Sequence, residues 1–161
     1  MYMKELIGLM EGRICILNEY KKSLCQMLKH LEREDFDVLV LDEFNSKHDG
    51  FIERLKENGQ NIDRQVGLME PEKSGYLTRL LTGEEPGDCP AYAEDFASLC
   101  QRQRETVRDL IETNNRCVTL LQNAIKEART ELKKAGKSDA VFNYYSGLKG
   151  TQTGMVVDTR N

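Results

Sequence analysis

Tryptophan is absent from this 161-residue sequence, proline occurs three times, histidine twice, and all aromatic residues together make up 7%. With hydrophobic residues at 39%, the apolar mass is too small for the closed core and walled pocket of a compact enzyme. The length fits a single domain. No stretch approaches the roughly 20 apolar residues that span a bilayer, so membrane insertion is not expected. A dominant charge of one sign is also missing: 23 Lys and Arg face 27 Asp and Glu, for a net charge of −4. Without a global basic field, nucleic acid is excluded as the main partner.

Paired cysteines are lacking too. The five, Cys15, Cys25, Cys89, Cys100 and Cys117, are odd in number and form no CxxC. A secreted disulfide framework would be even-numbered and loop-rich, so reduced thiols in a cytosol are the expectation. The opening MYMKELIGLMEGR interrupts its apolar residues with Glu5, Glu11 and glycines, unlike the unbroken core of a signal peptide. A cytoplasmic location is expected.

Catalytic and metal signatures are equally sparse. A carboxylate-bridged metal bundle needs ExxH pairs, but Met27 and Asn45 stand three residues before His30 and His48. The cysteines are too scattered for structural zinc, and no Gly-rich loop follows a strand to open a phosphate-binding helix. Nothing marks one thiol as an activated partner of a histidine. Neither His30, followed by Leu-Glu-Arg, nor His48, followed by Asp-Gly-Phe, offers the environment of a phosphotransfer helix. The sequence predicts no enzyme, no metal and no cofactor.

What is present is helical periodicity. Ile7, Met10, Ile14, Leu17, Leu24, Leu28 and Leu31 form a heptad seam on a helix predicted from about Lys4 to Arg33. Lys21 fills the one missed place, and Met3, Leu6, Tyr20 and Met27 widen the stripe toward a second neighbour. Glu34-Asp35 reads as a break and cap before a second helix, Phe36 to about Leu68. Val38, Leu41, Ile52, Leu55, Ile62 and Val66 keep its rhythm, with Asn45, His48 and Gly59 as weak points on the seam. Its three glycines each cost about 1 kcal/mol relative to Ala. Residues 70–90 carry all three prolines and several glycines and read as a connection, with at most a helical turn from Tyr76 to Leu81.

A third long helix is predicted from Pro90 to about Ala135. Its seam is Val107, Leu110, Asn114, Cys117, Leu121, Ala124 and Ala128, and beside it Ile111, Val118, Ile125 and Leu132 make a second row at intervals of seven. A two-stranded coil would leave that row wet, whereas a third helix or a bound peptide would cover it. Lys133-Lys134 and Gly136 form a sound stop. The expected architecture is all-α: an elongated antiparallel bundle of three long helices over residues 4–135, with a flexible tail over 136–161.

Three features admit two readings each. The Asn114-Asn115 pair either fixes helix register or grips the backbone of a bound peptide. Tyr144-Tyr145 either folds back on the bundle or serves as a docking anchor. Met3, Met10, Met27 and Met69 either fill core gaps or let a groove adapt to several clients.

The layout resembles the FlgN family of flagellar export chaperones. The likeness lies in the Glu34-Asp35-Phe36 step, in HDGFIERLKENGQNIDRQV and in RDLIETNNRCVTLLQNAIKEARTELKKAG with its paired Asn. The aromatic, glycine-containing NYYSG completes it, and the likeness covers about residues 4 to 150. The resemblance implies a cytosolic chaperone that holds the disordered C-terminal helical segments of the hook–filament junction proteins FlgK and FlgL. It would deliver them to the export gate of the flagellar type III apparatus. By the same resemblance, the cargo surface would be Leu110, Ile111, Val118, Leu121, Ile125 and Leu132, and the gate anchor Tyr144 or Tyr145. A structural coiled-coil homo-oligomer, burying the second row against its own copy as a homodimer or larger assembly, is the alternative.

Overall fold

The computed structural model describes residues 2–33, 37, 39–84 and 87–134. Among them are four α-helices: α1, Tyr2–Leu31; α2, Leu39–Gly67; α3, Pro71–Leu81; and α4, Glu94–Lys134. A single 3-10 turn, Ala91–Ala93, precedes α4, and no strand is found. The chain is therefore all-α. The Glu34-Asp35-Phe36 step, Val38, the 136–161 tail and both Tyr144 and Tyr145 lie outside the described residues.

At the first residue of α2 the Asp37 carboxylate accepts from the Leu39 amide at 2.9 Å; the expected start at Phe36 lies outside the described residues. The His30 ring meets the same residue, donating from Nε2 to the Asp37 carbonyl at 3.1 Å. One difference from the sequence expectation is α3, an eleven-residue helix where a connection was expected. Pro71 occupies its first turn, where the missing N–H costs nothing. Its end is a Schellman motif: Gly83 at φ +87° donates to the Leu80 carbonyl, and Glu84 to that of Arg79 at 2.9 Å. The residues read as helix breakers are this helix's two end signals.

The chain divides into two compact units, and α1, α2 and α4 each give one stretch to both. The first comprises Met1–Lys21 and Gly50–Leu110. Its core gathers Leu6, Met10 and Ile14 of α1, Ile62 and Val66 of α2, Leu77 and Leu80 of α3, and Phe96, Leu99 and Cys100 of α4. Leu6 is fully buried while Ile7 only packs against the cluster, so the buried stripe of α1 starts one residue earlier than the heptad reading placed it. Asn58 donates to the Leu9 carbonyl at 3.0 Å, and Arg54 pairs with Glu19 at 2.7 Å. Numbers rise along α1 as they fall along α2, so the two are antiparallel here. A Cβ at Gly59 would stand 3.2 Å from Arg13 Nη1, a tight contact that the bare backbone avoids. Arg104 ties α4 to the end of α3, donating to the Leu80 carbonyl at 3.2 Å.

The second unit comprises Lys22–Asp49 and Ile111–Asn161. Its core is Met27, Leu28 and Leu31 of α1, Leu41 of α2, and Cys117 and Leu121 of α4, with Phe44 and Leu120 packed at its margin. His48 and Asn114 are its buried polar residues. The Cys117 thiol donates to the Leu24 carbonyl at 3.7 Å, and Arg116 pairs with Glu32 at 3.3 Å.

Candidate functional site

The six residues proposed for a client surface all lie on α4, but they do not share one environment. Leu110 and Leu121 belong to the seam row and are only 4% and 6% exposed, so their apolar surface is already spent inside the chain. Cys117, on the same row, is fully buried. Ile111, Val118, Ile125 and Leu132 are each half-buried. The two rows separate because residues at steps of three and four from Leu110 face the core, while the second row sits at its flank.

Leu121 is the last residue of α4 in a core cluster. From 122 to 134 the helix continues for 13 residues, about 20 Å at the α-helical rise, and none of these residues is buried. Ala124, Ile125, Ala128 and Leu132 are half-buried along it and fall on one face. Lys126, Glu127, Glu131, Lys133 and Lys134 are exposed around them. The result is an amphipathic stripe with charged residues on its other faces and no member in the buried class.

The paired asparagines divide their work. Asn114 lies in the seam and is 5% exposed, and its Oδ1 is buried with no hydrogen-bond partner among the described residues. A buried acceptor without a partner costs about 1–3 kcal/mol. Its place in the seam fits register fixing. Asn115 is exposed and helps line an open depression of about 380 Å³ with Glu32, Glu112, Arg116, Thr119 and Leu120.

Groups capable of other chemistry have structural surroundings. His30 closes the entry to α2 and leans on the Phe44 ring, centroids 6.3 Å apart. All five cysteines are free thiols, and burial pushes Cys100 and Cys117 up to about 11, where they are weak nucleophiles. No group of three His, Cys, Asp or Glu among the described residues could hold a metal ion. No described helix is long and apolar enough to cross a membrane.

One surface escaped the sequence reading. In the first unit, Tyr2, Met3, Leu68, Met69, Glu70, Lys73 and Tyr92 line a pocket of about 280 Å³. The available signal was three large apolar residues, Tyr2, Leu68 and Tyr92, standing at helix ends off the periodic stripes. In comparisons with known proteins, no family model, curated protein or solved structure matches the chain.

Proposed function

We propose that this chain is a cytoplasmic export chaperone of the FlgN type. It binds the C-terminal helical segments of FlgK and FlgL, keeps them from assembling early, and presents them to the flagellar type III export gate. The observation that carries this reading is the end of α4, a 13-residue amphipathic stretch beyond the last core residue with no buried position. A client helix laid along Ala124, Ile125, Ala128 and Leu132, and reaching back to Val118 and Ile111, would complete the packing that the chain leaves open. Such a helix-in-groove contact is small enough to be released at the gate, since affinity depends on the fit of a few anchors rather than on area. In this reading α1, α2 and α4 form the antiparallel bundle, α3 is an addition to it, and Tyr144 or Tyr145 docks at the gate.

The heptad interval of Ile111, Val118, Ile125 and Leu132 also suits a second copy of the same helix, which makes a structural homo-oligomer the competing reading. Titration of the purified chain with a synthetic FlgK C-terminal peptide separates the two. A light-scattering monomer that binds the peptide with a gain of helicity by circular dichroism supports the chaperone. A stable dimer indifferent to the peptide supports the oligomer and removes the chaperone reading.

A further inference from the structure

Of the five free thiols, Cys25 on α1 and Cys117 on α4 are the two that fall in the second unit. Cys117 is fully buried, and its Sγ stands 3.7 Å from the Leu24 carbonyl oxygen. That carbonyl is bonded to the Cys25 nitrogen, so standard backbone geometry sets Cys25 Cα about 3 Å from the same oxygen. Cys25 Cα is therefore within about 7 Å of the Cys117 sulfur. We propose that Cys25 and Cys117 are a redox pair, joined by a peroxide oxidant into a disulfide that ties α1 to α4.

Cys25 lies on the face of α1 that this bond requires. Lys21, Cys25, Leu28 and Glu32 follow at steps of four, three and four, and the Glu32 amide still donates to the Leu28 carbonyl at 3.0 Å, so all four share one face. At each of the other three places that face meets α4. Lys21 pairs with Asp109 within the first unit. In the second, Leu28 packs in the cluster that holds Cys117, and Glu32 pairs with Arg116. Packed helices run about 8–10 Å apart with Cα atoms about 2.3 Å from each axis, so facing Cα atoms can stand in the range of about 4.4–6.8 Å that a disulfide spans. The two thiols also sense each other: burial first, and then the Cys25 thiol, push Cys117 up to about 11.

Exposure divides the chemistry between them. Cys25, half-buried, is the one a small peroxide reaches. Its thiolate takes one oxygen of hydrogen peroxide, the O–O bond breaks, and water leaves with a sulfenic acid on Cys25. The Cys117 sulfur then attacks the sulfenic sulfur. The S–O bond breaks as the S–S bond forms, and the Cys117 proton leaves with the hydroxide as a second water. The two thiols give up two electrons in all, and the peroxide takes both. The tightly held Cys117 proton makes the second step slow, which suits a link formed under oxidative stress rather than in a resting cytosol.

The test is oxidation of the purified full chain with hydrogen peroxide, followed by alkylation and peptide mass mapping without reductant. The chain is expected to lose about 2 Da, two hydrogens, and the tryptic peptides 23–29 and 117–126 to emerge joined, with dithiothreitol parting them. In urea, where the fold no longer selects partners, the same treatment should give mixed links. Cys25→Ser, at a half-buried site, should fold and leave Cys117 reduced after oxidation. Oxidation that stops at an oxygen adduct on Cys25 with Cys117 still free would overturn the pairing. So would a Cys25–Cys117 link no more abundant in the folded chain than links to Cys15 or Cys89. No residue from 122 to 134 takes part, so the pair stands or falls independently of the proposed client stripe on α4.

Discussion

Leu121 and Ile125 are one helical turn apart on α4 and belong to the same compact unit, yet they should respond to substitution to different degrees. Leu121 is 6% exposed and packs with Met27, Leu28, Leu31, Leu41 and Cys117. Truncation to Ala removes its transfer free energy and opens a cavity, a loss of about 2–5 kcal/mol. Ile125 is half-buried and lies in no core cluster. Replacing it by Asp forfeits the larger part of a full burial of about 1.5–3 kcal/mol, and the two residues differ little in helix propensity. That places the cost at about 1–3 kcal/mol. For a chain of this size 1 kcal/mol corresponds to roughly 2–4 °C in Tm. Leu121→Ala should therefore lower the thermal transition by roughly 4–20 °C, and Ile125→Asp by the smaller amount of about 2–12 °C. Circular dichroism on the two purified variants reads both, and peptide titration supplies the second arm: Ile125→Asp should lose FlgK peptide binding while remaining folded. If Ile125→Asp melts as early as Leu121→Ala, the second row is core and the reasoning from its exposure fails.

Three further outcomes are expected. Leu77→Ala in α3 should cost about 2–5 kcal/mol in urea denaturation because Leu77 is completely buried in the first unit, whereas Leu68→Ala, at an exposed site, should stay within about 0.5 kcal/mol. Thiol titration near neutral pH should modify the exposed Cys15 and Cys89 first and leave Cys100 and Cys117 protected. Because burial raises the last two above their ordinary value of 9.0, the folded chain holds those protons more tightly than the unfolded one. Their contribution to stability is complete below about 9 and is lost as pH climbs through about 11, so Cys100→Ala should flatten the alkaline fall in denaturant midpoint. Replacing Tyr144 and Tyr145 by Ala should leave peptide capture intact and impair export in cells; a loss of capture would move the tail into the client site.

Periodicity made the interior of the long helices legible. The buried face of α4, with Leu110, Asn114, Cys117 and Leu121, is the seam that steps of three and four mark out. Along α1 a strict heptad chose Ile7 where the structure buries Leu6. An α-helix repeats at 3.6 residues rather than 3.5, and α3 adds a neighbour on that side of the core. The helix α3 was missed because Pro71, Gly75 and Gly83 look like punctuation, although a Pro at the first turn and a Gly just past the end bracket many helices. At Gly59 and His48, which interrupt the apolar seam of α2, periodicity records only the lack of apolarity. It does not register a guanidinium that needs space beside a glycine, or a histidine buried at 7% exposure. The proposed client stripe is legible only in its spacing, which marks out both rows of α4. Which row is covered depends on where the core stops, at Leu121, and the periodic pattern runs past that point without a change.

Hydrogen exchange along α4, with and without the FlgK peptide, is the most direct test of the claim that the chain leaves this stripe for a client. In the free chain, amides of 122–134 should exchange much faster than those around Cys117 and Leu121, and peptide binding should slow them toward the rate of that core segment. Protection of 122–134 already equal to that of the core in the free chain, or rates unmoved by saturating peptide, would contradict it.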